Sequence, residues 1–179
     1  MTFSTETFTL EALKPEDASN LSGLMISNGK SFQEYLPKTL AQNLSETDSS
    51  IYISNKNKAL INRTEFTHAI KDIETNKIAG LIILKNIDYQ IKQGEFAYCV
   101  GNKFSGKGWV TQSIQAFTKF AFQELDLKSL QIIIHKTNIS SINVAERCGF
   151  KWSKTLVNAF TPSGKNSVDM ELYELHDEK

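Results

Sequence analysis

The sequence predicts a mixed α/β fold, a mostly antiparallel central sheet with flanking helices. Two observations lead there. Short apolar runs rich in β-branched and aromatic residues recur along the chain, and between them lie stretches whose apolar residues return every three or four positions. The resulting order is strand, helices, three strands, helix, strand, helix, two strands, with no repeat, linker or low-complexity segment to divide it. The whole chain, 1–179, therefore reads as one domain.

Phe8 to Leu13 alternates apolar and polar residues, as a first strand does. Pro15 then suits the first turn of a helix, and Glu16 and Asp17 suit its positive end. Ala18, Leu21, Leu24 and Met25 form an apolar stripe that should stop near Asn28-Gly29. Ser31 to Leu36 predicts a short helix, with Pro37 to end it. Ser45 to Arg63 reads as a helix, although Ile51-Tyr52-Ile53 also suits a short strand. Glu65–Ile73 and Ile78–Leu84 are strands around the turn Glu74-Thr75-Asn76-Lys77, followed by a polar connection over Asn86–Gly94. Glu95–Val100 and Ser129–His135 are further buried strands, separated by a helix carrying Val110, Ile114, Phe117 and Ala121. A helix from Ile142 to Cys148, closed by Gly149, precedes the strands Trp152–Phe160 and Ser167–Leu175. Thr161-Pro162-Ser163-Gly164-Lys165 is the turn between those two.

Apolar residues make up 40% of the chain, ample for a core at this length. Lys plus Arg equals Asp plus Glu at 20 each, so no overall charge draws the chain to nucleic acid or an acidic membrane. No apolar run approaches the length of a membrane span, and Met1 to Leu10 is not a signal peptide. Three scattered histidines and two cysteines without ligand spacing predict no metal site, and a reducing, cytoplasmic setting is the default.

The most informative stretch runs from Glu95 to Gln123. A strand passes through Gly101, Ser105, Gly106, Lys107 and Gly108 into a helix, which aims unpaired backbone N–H groups at one spot. With the partial positive charge of the helix start, that geometry suits a phosphate or pyrophosphate at Ser105 to Trp109. The glycine spacing matches neither the nucleoside-triphosphate loop nor the dinucleotide fingerprint.

Two segments together resemble the GNAT superfamily of acetyl-CoA-dependent N-acetyltransferases. Lys103-Phe104-Ser105-Gly106-Lys107-Gly108 is similar to the turn after the family's fourth strand, with Lys103 where Arg or Gln is usual. Asn138-Ile139-Ser140-Ser141-Ile142-Asn143-Val144-Ala145-Glu146-Arg147-Cys148-Gly149-Phe150 resembles the family's later Asn-to-Gly-Phe segment. Glu95-Phe96-Ala97-Tyr98 and Gly108-Trp109-Val110-Thr111 look like the branch that acetylates ribosomal-protein N-termini, notably at serine.

The resemblance implies a sheet whose fourth and fifth strands, here Glu95–Val100 and Ser129–His135, splay apart around the thioester. It implies that amides from Phe104 through Val110 hold the pyrophosphate, and that Tyr98, Cys99 and Val100 present the pantetheine arm and polarise the thioester carbonyl. Asn138 would bond the pantetheine, and Ser141 would hydrogen-bond the departing thiolate; a plainer reading has Ser140 or Ser141 cap the next helix. Phe160 stands where the ribosomal branch has a glutamate, so the proton acceptor must lie elsewhere, with Glu95 and His135 as candidates. Cys99 and Cys148 read as small core residues, because direct transfer to an amine needs no covalent enzyme intermediate. The acceptor expected is a primary amine, a protein or peptide N-terminus first, with polyamines or aminoglycosides as alternatives and a monomer or homodimer as the assembly. A non-catalytic acyl-CoA-binding domain is the further alternative that Phe160 raises.

Overall fold

Side-chain alternation along one strand sorts the core into two layers. In β5 (Gln93–Val100), Phe96, Tyr98 and Val100 point to one face, and Ala97 and Cys99 to the other. The first face packs under α5 (Trp109–Gln123) and α6 (Ile139–Arg147), with Phe117, Phe150 and Ile114 at its centre. The second packs under α1 (Ala18–Ser27), α2 (Gly29–Tyr35), α3 (Pro37–Ala41) and α4 (Glu46–Ile61), through Leu21, Met25, Phe32, Leu40 and Ile53. A computed structural model describes residues 1–162 and 164–178.

The remaining strands are β1 (Phe3–Ser4), β2 (Phe8–Ala12), β3 (Phe66–Asp72), β4 (Ile78–Asp88), β6 (Ser129–Ile134), β7 (Lys151–Phe160) and β8 (Val168–His176). They form one eight-stranded sheet in the order β1-β2-β3-β4-β5-β6-β8-β7. Every neighbouring pair is antiparallel except β5–β6, which is parallel because α5 crosses over between them.

Several local expectations shift, each for a physical reason. Pro37 does not merely stop α2; it opens α3 at a first-turn position that needs no N–H. Ile51-Tyr52-Ile53 is helical: Ser45 accepts from the Asp48 N–H at 3.1 Å and starts α4. Tyr52 and Ile53 then turn inward while Ile51 is left outside. β4 continues past Leu84 to Asp88, through a bulge with Asn86 at φ 50°, so the expected polar connection is partly strand. α6 begins at Ile139 rather than Ile142, because Asn138 caps it. The expected C-terminal hairpin forms with a bond from the Lys165 N–H to the Pro162 carbonyl, and Ser163 lies outside the described residues.

Beneath β1, His68 is fully buried against the edge of Phe117, with ring centroids 4.9 Å apart. Its Nε2 lies 3.1 Å from the Met1 carbonyl oxygen. Burial pushes the imidazole down to about 4, and the Met1 contact offsets this only in part. A depressed histidine contributes stability that is present above its unfolded value near 6.5 and lost as pH falls through the folded value. The expected loss between those limits is about 3 kcal/mol. Urea unfolding of wild type and His68→Leu should show the wild type losing stability more steeply between pH 6.5 and 4; equal slopes would contradict this.

Candidate active site

The register of β5 against β6 creates the cleft. Gln93 to Phe96 pairs with Ser129 to Ile132, and the ladder ends there. β5 nevertheless continues on β4 to the pair Gly80–Val100, and β6 continues on β8 to the pair Ile134–Glu171. Both strands thus run on without pairing to each other, leaving Ala97–Val100 and Ile133–Ile134 as two unzipped edges. Backbone groups that alternate toward such an edge are a template for an added extended chain. The splay expected between these strands is present.

Gly80 fixes where β5 ends. A Cβ on Gly80 would lie 2.2 Å from the Cys99 carbonyl oxygen, so only glycine lets β4 approach this closely. Gly101 is similarly enclosed, with Leu24 Cδ1 2.9 Å from the position of a Cβ.

Beyond Gly101 the chain makes a 3₁₀ turn over Asn102–Phe104 and reaches α5 through Ser105–Gly108. The anion cradle is narrower than the sequence suggests. The Phe104 N–H already donates to the Gly101 carbonyl at 2.9 Å, and the Ser105 N–H to the Asn102 carbonyl at 3.3 Å. Among the described residues, the N–H groups of Gly106, Lys107 and Gly108 have no protein acceptor. Trp109, Val110 and Thr111 open α5, whose ladder starts with Gln112 N–H to the Gly108 carbonyl at 3.1 Å. Gly106 and Gly108 hold φ of 79° and 75°, a region that glycine enters at no steric cost. Ser105 to Gly108 are exposed, while Trp109 anchors the turn below, stacked on Phe104 at 5.6 Å and against Phe8 at 5.3 Å. Lys107 Nζ sits 4.7 Å from the Trp109 ring centroid, which keeps a cation at the rim; Lys103 is a second exposed cation there.

Across the cleft, Asn138 and not a serine caps α6. Its Oδ1 accepts from the Ser141 N–H at 3.2 Å and from the Ser140 hydroxyl at 3.0 Å. The Asn138 side-chain NH₂ has no protein acceptor among the described residues. The Tyr98 hydroxyl reaches from β5 to donate to the Ser141 carbonyl at 3.1 Å. Burial raises the Tyr98 phenol well above its ordinary value, so it stays protonated and keeps donating. Ser141 is therefore clamped at both its N–H and its C=O, while its hydroxyl faces the Tyr98 phenol.

The two candidate bases are differently placed. Glu95 lies in the zipped half of β5, opposite Gln131. One of its oxygens is 2.8 Å from Lys85 Nζ, and the other accepts from Asn86 Nδ2 at 2.8 Å. A carboxylate with both oxygens engaged is a poor proton acceptor, and this geometry argues against the catalytic role expected of it. His135 follows the end of β6 at the cleft, but its Nδ1 is 2.7 Å from Thr137 Oγ1 and accepts from the Thr137 N–H at 3.3 Å. Phe160 pairs with Val168 on the terminal hairpin. Burial pushes the Cys99 thiol up to about 12 and the Cys148 thiol up to about 11, so neither ionises near neutral pH.

Sequence reasoning missed the long-range part of Asn28. The cap pattern Asn28-Gly29 was legible, but its Oδ1 accepts from the Asn102 N–H at 2.9 Å, across 74 positions of sequence, and no local signal reports that. Gly80 had a signal, a lone glycine inside an apolar strand run.

An unzipped strand pair beside a helix N-terminus defines a binding fold for an extended, anionic cofactor whose reactive end lies between the strands. The chain belongs to the acetyltransferase (GNAT) domain family, which it matches over residues 7–151. It is an N-acetyltransferase whose acetyl donor is acetyl-CoA. It is 28% identical over 147 residues to the putative ribosomal N-acetyltransferase YdaF of Bacillus subtilis, covering 81% of this chain and 78% of that one. It is 26% identical over 98 residues to spermidine N(1)-acetyltransferase of Escherichia coli, covering 54% of this chain and 53% of that one. Among solved structures it superposes on the microcin self-immunity acetyltransferase MccE, determined with acetyl-CoA and AMP, at a TM-score of 0.88. The identity there is 26%, covering 97% of this chain and 94% of that one. No helix among the described residues is long and apolar enough to cross a membrane.

Proposed function

We propose that the acceptor is the α-amine of a protein or peptide N-terminus, acetylated in the cytoplasm. The observation that carries this is the state of the carboxylates on the strands that form and flank the cleft. Glu95 is held by Lys85 and Asn86, and Glu174 accepts from Gln131 Nε2 at 2.9 Å. A polyamine site needs free carboxylates to match several ammonium groups, and these two are committed elsewhere. The attacking amine must also be neutral. An α-amine, with a pKa near 7.8, is roughly one-tenth neutral at pH 7, whereas an alkylamine near 10.4 is neutral in only about one molecule in two thousand. A site without a strong base thus favours the α-amine. The YdaF likeness, which spans more of this chain than the spermidine enzyme does, supports the same reading.

In this reading the amides of Gly106 to Thr111 bind the pyrophosphate, and the open edge of Ala97–Val100 aligns the pantetheine. Acetyl-CoA supplies an activated acyl group. With it bound, a β5 N–H would polarise the acyl oxygen, the Asn138 side-chain NH₂ would hold the pantetheine arm, and Ser141 Oγ would hydrogen-bond the leaving sulfur.

The test is thiol release with acetyl-CoA and a panel of Ser- and Ala-initiated peptides, spermidine and an aminoglycoside. Peptides should give the highest kcat/KM, rising with pH and levelling above the acceptor's own pKa near 8. A preference for spermidine, or a pH inflection that stays fixed when the acceptor's pKa changes, would overturn the proposal.

A further inference from the structure

The helix α2 runs between the segments that follow β5 and β6, tethered near each. Phe32, and Leu36 just past the helix end, belong to the same apolar cluster as Ala97 and Cys99, two β5 residues of the unpaired stretch. At its far end the Tyr35 phenol interacts with the Thr137 hydroxyl, just beyond the end of β6. At its near end Asn28 ends α1 and precedes α2. Asn28 Nδ2 donates to the Leu24 carbonyl at 2.8 Å, and its Oδ1 accepts from the Asn102 N–H at 2.9 Å. The Asn28 carbonyl then takes the Phe32 N–H at 3.0 Å, the bond that starts the α2 ladder. One residue therefore joins the start of the cofactor turn, the end of α1 and the first turn of α2.

We propose that Asn28 is a positioning residue that couples the CoA turn to α2, so that filling the cofactor site orders the acceptor side of the cleft. This rests on the assignment of Gly106 to Thr111 as the pyrophosphate cradle. The physical route is short. A bound pyrophosphate immobilises the exposed turn from Ser105 to Gly108, which fixes the 3₁₀ turn behind it. The Asn102 N–H is then held on Asn28, and Asn28 holds the first turn of α2. A helix of seven residues has little stability of its own, so a fixed first turn matters to it. Coupling of this kind is reciprocal: an acceptor that orders α2 tightens cofactor binding by the same factor. α2 shares an apolar cluster with Ala97 and Cys99 and carries Tyr35 to the segment after β6, so the face it offers an acceptor is set only after the cofactor is in place.

Hydrogen exchange read by mass spectrometry, with and without CoA, tests this without knowledge of the acceptor. In wild type, CoA should slow exchange of amides in 104–112 and also in 29–36, the latter roughly tenfold. Two variants cut the link from opposite sides. Asn28→Ala removes the acceptor. Asn102→Pro removes the donor at a first-turn position that tolerates proline, after a Gly101 whose ψ of 147° already suits a following proline. In both, CoA should still protect 104–112 while protection of 29–36 disappears, and a peptide acceptor's KM should rise more than the Kd for CoA. Unchanged exchange in 78–84 reports an intact sheet, and if Asn28→Ala fails that control, Asn102→Pro carries the test. Protection of 104–112 in wild type without protection of 29–36, or persistence of the α2 effect in a folded variant, overturns the coupling alone. Absence of CoA protection everywhere overturns both the coupling and the cradle assignment.

Discussion

Replacing Ser141 with alanine is expected to lower kcat about a hundredfold, while CoA affinity changes little and the thermal midpoint moves by no more than about a degree or two. The reason lies in what holds the residue. Its N–H is bound by Asn138 and its carbonyl by Tyr98, and both contacts use backbone atoms that alanine keeps. Only the hydroxyl is lost, and the Tyr98 phenol beside it keeps the Ser141 carbonyl as its acceptor. A donor whose value lies in stabilising charge on a leaving sulfur shows in kcat and not in ground-state binding. Asn138→Ala should behave differently. It uncaps α6 at a cost of about 1 kcal/mol and removes the side-chain NH₂, so stability and CoA affinity fall together. Steady-state kinetics with calorimetric CoA titration separate the two patterns. A Ser141→Ala enzyme at full kcat would remove Ser141 from the reaction.

The largest stability effect is expected at Lys71. Its ammonium is 7% exposed and sits 2.8 Å from Asp17 Oδ1 and 2.8 Å from Glu11 Oε1. Burial pulls the Lys71 pKa down, but bonds to Asp17 and Glu11 outweigh this and leave it raised. For Glu11, burial pushes upward, and the hydrogen bonds from Lys71 and Lys14 reverse it to a lowered value. Asp17 also accepts the Lys14 N–H at 2.8 Å, so the group fixes how β2 hands over to α1. Lys71→Ala removes the cation between the two carboxylates and leaves only the exposed Lys14 on Glu11, an expected loss of about 3 kcal/mol, or roughly 10 °C in Tm. A carboxylate with a lowered folded pKa contributes stability above its unfolded value and loses it as pH falls through the folded one. The gap between wild type and variant should therefore narrow below about pH 4.5 as Glu11 protonates. Thermal melts at pH 7 and pH 4 read this; an equal gap at both would mean that the ion group is not the source.

Much of the fold was legible because its signals are local. Strand period placed β2, β3, β4 and β6, and the Asn138-to-Phe150 pattern placed α6 with Gly149 at φ 87° behind it. The turn at Gly106 and Gly108 was legible for the same reason, since its chemistry is a matter of backbone freedom. Glu95 was not: a carboxylate at a strand's start looks available until Lys85 is seen in register across from it. Asn28 was legible as a cap and invisible as a tether, because its partner Asn102 meets it only after three helices and three strands have packed. Pairing across the sheet decides which polar groups are free, and a single sequence does not carry that pairing.

The central claim is that the unzipped β5–β6 edges and the α5 N-terminus hold one CoA molecule with its sulfur beside Ser141. A crystal structure of the protein with CoA tests it most directly. The expected result has pyrophosphate oxygens within hydrogen-bond distance of the Gly106 to Thr111 amides, the pantetheine paired to Ala97–Val100, and the sulfur within reach of Ser141 Oγ. CoA bound elsewhere, or a pantetheine arm lying outside the β5–β6 gap, would contradict the account.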